Sequence, residues 1–189
     1  MLIGFPQLLD KVNEHIDRLD YAREPMNLYE PVKYILALGG KRIRPVMMLM
    51  AYNMYRDDVD KILDPALALE IYHNFTLLHD DLMDNADVRR GKPTVHKRWD
   101  ANTAILSGDV MLSLADVYMS RVDDAYFRQV MATFHQTSIE IAEGQQYDMD
   151  FETRTDVAEQ EYIEMIRLKT SVLLACALSC VFEFVPALN

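Results

Sequence analysis

Glycine and proline are scarce in this chain, six and seven among 189 residues. So few breakers leave room for long helices, and nowhere does an alternation of apolar and polar residues persist as a half-buried strand requires. Cysteine is scarcer still. Cys176 and Cys180 are the whole complement, which excludes a disulfide framework, and a spacing of four stacks them on one helix face as reduced, buried thiols. Positive charge is in deficit: 19 Lys and Arg stand against 30 Asp and Glu, a net −11 that argues against a nucleic-acid partner. A secretory signal is missing too, because the opening "MLIGFPQLLDKVNEHIDRLD" turns charged and amphipathic within ten residues. The most apolar run, "SVLLACALSCVFEFV", falls short of a bilayer span and contains Glu183. Together these absences predict a cytoplasmic protein without a transmembrane segment.

What is present is apolar bulk. Half of the residues are hydrophobic, enough for one domain over 1–189 with a real core. Leu8, Leu9, Val12, Ile16 and Leu19 recur at helical spacing. "EPMNLYEP" breaks that pattern, and a short helix over 34–38 stops at Gly39-Gly40, with Pro45 at the start of the next. Asp64 followed by Pro65 reads as a cap and first helical position, opening an apolar helix that runs to about Asn85. "RRGKP" reads as loop. Asn102 or Thr103 caps a helix to about Val122, another spans about 125–149 around Gly144, and Asp156 with Glu159 resembles a capping box before the last helix. The fold class is all-α.

The chemistry concentrates at "HDDLMDNADVRRGK", residues 79–92, where an apolar helix ends in a knot of aspartates. On a helix Asp80 and Asp84 lie about 40° apart, one turn above the other, with Asp81 beside them and His73 within about 20° of the Asp80 face. Like charges about 5 Å apart repel by roughly 3 kcal/mol at an effective dielectric near 20, and the negative end of the helix dipole adds to the cost. Mg²⁺ relieves this, since it takes one or two carboxylates, water and phosphate oxygens. Two basic clusters accompany the carboxylates: Arg89, Arg90 and Lys92 just after, and Lys41, Arg42 and Arg44 after the paired glycines. Arginine forks suit phosphate. A solvated helix end is the ordinary reading of a lone DDxxD. The two basic clusters beside this one imply a polyanionic substrate held from two sides.

At these residues the chain resembles the trans-prenyltransferases, the isoprenyl diphosphate synthases. The matching motifs are "GGKRIRP" at 39–45, "LLHDDLMDNADVRRGKPTVH" at 77–96, "SGD" at 107–109, "EGQQYD" at 143–148 and "RLKT" at 167–170. The resemblance implies an antiparallel helical bundle of the isoprenoid synthase type, here without its C-terminal helices. It implies Mg²⁺ as cofactor, isopentenyl diphosphate and an allylic diphosphate as substrates, and a homodimer. Asp80 and Asp84 would bind the metal, with Asp81 assisting and Asp148 on the metal side. Arg89, Lys169 and Gln145 would hold the allylic diphosphate, and Thr170 would lie near the developing carbocation. The Gly40 backbone, Lys41, Arg44, His73 and Arg90 would hold isopentenyl diphosphate. Tyr72, Phe75 and Thr76 would set chain length. An aromatic five residues before the first aspartate, with a small residue next to it, resembles synthases of C15 to C20 products, and Phe75→Ala is expected to lengthen the product.

Members of the family usually carry a second aspartate-rich motif beyond the "KT" pair, and none occurs before Asn189. The expectation is a truncated form, weak alone, whose segment 171–185 seeks an apolar partner. The alternative is a non-catalytic or partner-dependent subunit of a heteromeric synthase. Two further readings are class I terpene cyclases, which have no use for "GGKRIRP", and a di-iron bundle, for which "EIYH" at 70–73 supplies one of the two motifs needed.

Overall fold

The hydrophobic run at 65–72 is buried at every position, and this places its helix at the centre of the molecule. The computed structural model describes residues 2–184. Its helices are α1 (Phe5–Asp17), α2 (Met26–Ala37), α3 (Ile43–Asn53), α4 (Leu63–Met83), α5 (Val95–Arg98), α6 (Ala101–Met119), α7 (Asp124–Phe151), α8 (Glu159–Ile166) and α9 (Val172–Phe184). α4 packs most extensively on α6 and also meets α2 and α3. A second layer is formed by α7 with α9, and α9 returns against α3 to close the core. The fold is an all-α bundle.

Two glycines set how closely these helices approach. A Cβ at Gly108 of α6 would run into the His79 ring of α4, and one at Gly144 of α7 would meet the backbone of Leu168 and Lys169. That second contact falls at Arg167–Ser171, a single π-helical turn that joins α8 to α9.

Several boundaries differ from the sequence reading, each for a local reason. α2 begins at Met26 and runs through Pro31, whose ring is buried in the core, so the loss of one backbone donor is offset by apolar burial. Asp64 lies in the first turn of α4 and its carboxylate is taken up by His15 (2.6 Å) and Arg121 (3.3 Å), while a short 3₁₀ turn over Val59–Ile62 leads into the helix. Asp100, two or three residues before the expected caps, begins α6 by accepting from the Thr103 backbone at 2.9 Å. Asp156 pairs with Arg154 instead of capping, and Glu161 reaches back to the Ala158 amide at 2.9 Å. The "RRGKP" loop is a tight antiparallel hairpin, Val88–Arg89 against Lys92–Pro93, with Arg90 and Gly91 in left-handed backbone conformations.

Cys176 and Cys180 are free and buried, their sulfurs 3.9 Å apart on one face of α9. The stretch Glu159–Phe184 is long and apolar enough to cross a membrane. In the bundle, however, Val172, Leu173, Cys176, Ala177, Cys180, Val181 and Phe184 are buried core, while Leu178 and Phe182 on the same helix are exposed.

Candidate functional site

One face of α4 and facing residues of α7 and the π turn enclose a cavity of about 410 Å³. Its wall includes Arg44, Tyr72, His73, Phe75, Thr76, Asp80, Gln145, Lys169 and Thr170 among the residues singled out from sequence, together with Met83, Ile141 and Leu173. The helical period explains this directly. Residues 72, 73, 76, 80 and 83 recur at intervals of three and four along one stripe of α4. The stripe is mixed, Tyr72 and Met83 with His73, Thr76 and Asp80 between them, and the charged groups around the cavity gather at two positions.

At one position are cations. Arg44 and His73 both line the cavity. The His73 imidazole is pushed down to about 3 by burial and by the neighbouring guanidiniums of Arg44, Arg90 and Arg89, so it is neutral near neutral pH. Burial also lowers Arg44, and its Nε is buried without a hydrogen-bond partner among the described residues. The Arg44 side chain lines the cavity with that donor unmatched. Arg90 lays its guanidinium on Gly40, where a Cβ would contact Nη2 at 2.8 Å. Lys41 is exposed beside this cluster.

At the other position is the acidic group. Asp80 lines the cavity and accepts from Lys169 Nζ at 3.1 Å, and the same ammonium donates to Asp148 at 2.6 Å. One cation thus joins α4, α7 and the π turn. Burial by itself would lower Lys169, but the two carboxylates outweigh it and hold its pKa above the ordinary value. Asp84 is exposed one turn beyond, and partial desolvation followed by the charge of Asp80 raises its carboxyl. Asp81 points elsewhere: it is buried and forks Arg89, whose Nε and Nη2 lie 2.6 and 2.8 Å from its two oxygens. Arg89 is also 3.9 Å from Asp80.

Among the described residues no group of three or more Asp, Glu, His or Cys side chains forms a cage for a metal. Mg²⁺ does not need one, since it is ordinarily bound through one or two carboxylates with the substrate's phosphates completing its shell. Asp80 and Asp84 have the right oxygens, their mutual repulsion favours a cation, and the Lys169 ammonium already marks the spot as one that attracts positive charge. The donor set fits.

The rings of Tyr72, Phe75 and His79 line the cavity, and Phe134 packs behind Tyr72. Tyr72 meets Phe75 and Phe134 edge to face at 5.5 and 5.3 Å, and Phe75 meets His79 at 4.8 Å. Sequence reasoning missed Ile141 and Leu173 of the wall, whose apolar side chains carry no chemical signal of their own, and Phe134 behind Tyr72. It also missed a buried pair, Arg42 with Glu70. A lone carboxylate in "LALEIYHNF" was the available signal. Glu70 is bonded to Arg42 and Asn74, which leaves it unsuited to the di-iron role.

Comparison with known proteins matches residues 25–187 to the family model for polyprenyl synthetase. The chain is similar to the geranylgeranyl diphosphate synthase of Methanosarcina mazei, 44% identical over 168 residues, covering 88% of this chain and 52% of that protein. It is 41% identical to the short chain isoprenyl diphosphate synthase of Methanocaldococcus jannaschii, over 88% of this chain and 50% of that one. A crystal structure of a geranylgeranyl pyrophosphate synthase superposes with a TM-score of 0.91 at 48% identity, covering 96% of this chain and 55% of that one. The geranylgeranyl pyrophosphate synthetase of Geoglobus acetivorans gives 0.91 at 39% identity over 95% and 59%. The chain spans about half the length of the curated relatives it matches.

Proposed function

The chain belongs to the polyprenyl synthetase family, and from that premise we propose that its cavity joins isopentenyl diphosphate to an allylic diphosphate, giving an all-trans product of C15 to C20. The observation that carries this reading is a cavity with an unmatched Arg44 donor beside His73 at one position and a carboxylate–ammonium cluster at the other. Two anionic head groups and one greasy reaction volume fit such a space.

Arg44, with Lys41, Arg90, neutral His73 and the Gly40 backbone, binds the isopentenyl diphosphate. Lys169 and Arg89 hold the oxygens of the departing allylic diphosphate, Gln145 stands beside them, and Asp81 orients Arg89 through its fork. Asp80 and Asp84, with Asp148, would hold Mg²⁺, which when bound would supply Lewis-acid neutralisation of that leaving group. Ionisation leaves positive charge on carbon, and the apolar wall of Phe75, Ile141 and Leu173 keeps water from it while Thr170 lies alongside. The alkene of the second substrate attacks, and the released diphosphate takes up the proton that is then lost. No protein nucleophile is required. The aromatic group of Tyr72 and Phe75, with Thr76, limits chain length. The names of the relatives favour geranylgeranyl diphosphate over farnesyl diphosphate as product.

The protein is proposed to act as one domain over 1–189, as a homodimer, in the cytoplasm. A second reading, a subunit that works only with a partner, is favoured by exposed Tyr162, Ile163, Ile166 and Phe182 on α8 and α9. Incubation with Mg²⁺, isopentenyl diphosphate and each allylic diphosphate, followed by product chromatography, tests both. Turnover by the chain alone supports the first reading, turnover only with a second protein added supports the other, and no product under either condition defeats both.

A further inference from the structure

The segment 39–44 carries three positive backbone φ angles, 77° at Gly39, 141° at Gly40 and 48° at Arg42. A left-handed arginine is strained, and such strain persists only where surrounding contacts over-determine it. The contacts are visible. The Arg42 side chain is 3% exposed, as is that of Glu70, and Nη1 donates to Glu70 Oε1 at 2.6 Å. Its Nη2 donates to the Leu36 carbonyl in the last turn of α2, also at 2.6 Å. Asn74 Nδ2 secures the same Glu70 oxygen at 2.9 Å. The Arg42 carbonyl meanwhile accepts from Val46 to begin α3. One residue therefore fastens three helices at the place where the cationic wall begins.

The arrangement is also electrostatic. Arg42, Arg44 and Arg90 would repel one another, and Glu70 is the acid that acts on all three. Its bond to Arg42 occupies the one guanidinium of the group that is fully buried, leaving Arg44 to face the cavity. Glu70 and His73 share α4 three residues apart, so the clamp fixes the loop relative to the helix that carries the rest of the site.

We propose that the buried Arg42–Glu70 clamp holds the 39–44 loop in its left-handed course, making Arg42 a positioning residue for diphosphate capture by Lys41 and Arg44. The inference rests on the functional reading above only for the identity of the anion.

The test separates holding the fold from holding the loop. Removing one partner of a buried ion pair destabilises the protein, whereas replacing both by apolar residues restores stability. Arg42→Met is expected to melt at lower temperature, and Arg42→Met/Glu70→Met to regain most of the loss. The double variant should still bind isopentenyl diphosphate roughly tenfold more weakly by calorimetry, the scale on which supporting residues act, with faster hydrogen exchange at the amides of 39–44. Arg42→Lys, which keeps the charge without the fork, should show the same weakened binding and exposed loop at near-native stability. Wild-type affinity and loop protection in either variant would overturn the clamp. Should the unsubstituted chain bind neither isopentenyl diphosphate nor inorganic pyrophosphate, the functional reading fails, and loop exchange in Arg42→Lys still decides the clamp.

Discussion

The two charged regions of the cavity wall are built differently. The cationic one is set in place before any ligand arrives: its loop is held in a strained course, its buried guanidinium is matched by Glu70, and its histidine is kept neutral. The acidic one is knitted by contacts that can exchange. Lys169 sits partly exposed between Asp80 and Asp148, and Asp84 stands at the rim. Under the proposed function, the first arrangement would suit capture of an anion, and the second a site that exchanges cations. The buried Arg42 charge has Glu70 as its internal partner, while at the exposed rim the partner is left to be exchanged.

The contrast can be broken most severely at Gly144. A methyl group there meets backbone atoms of the π turn, which have no rotamer to yield. Gly144→Ala should cost about 3 kcal/mol in denaturant unfolding, and a spectrum and melting curve unchanged from the parent would show that the close approach is dispensable. Next comes Asp81. Asp81→Asn leaves Arg89 without its fork and should cost about 2 kcal/mol, although Asp81 belongs to the same short motif as Asp84.

An effect confined to acid pH follows from His73. Its folded pKa of about 3 lies below that of an unfolded histidine, so the unfolded state binds the extra proton. Stability is therefore full above roughly pH 6.5 and falls as pH drops from there towards 3. His73→Gln should flatten that part of the stability–pH curve, and a curve as steep as the parent's would remove His73 as its source. The smallest expected change separates the motif's members most sharply. Asp84 is exposed and has a raised carboxyl pKa, so Asp84→Asn relieves repulsion and should shift stability by no more than about 0.5 kcal/mol, towards greater stability. A loss comparable to that of Asp81→Asn would show that the rim is as tightly built as the interior.

Much of the cavity wall could be read before the structure, and the reason is periodicity. His73, Asp80, Tyr72, Phe75 and Thr76 are tied to one helix, whose 3.6-residue turn fixes which side chains share a face. The role of Asp81 was not legible in the same way. Its neighbours in the sequence are Asp80 and Leu82, but what determines its behaviour is Arg89, brought back by a hairpin that the sequence reading took for open loop. One capping error has a similar origin: Asp64 is a good cap by type but is taken by His15 and Arg121 from distant parts of the chain, whereas Asp156 is taken locally by Arg154 two residues before it.

The amino-acid sequence by itself determined the all-α class, the family and the stripe of α4 that faces the cavity, because these depend on local spacing and on motifs a few residues long. Tertiary structure alone decided which charges are neutralised internally. Lys169 reaches Asp80 across 89 positions and Arg42 reaches Glu70 across 28. An ion pair depends on distances in space and on the dielectric around it, and neither is written in the order of the residues.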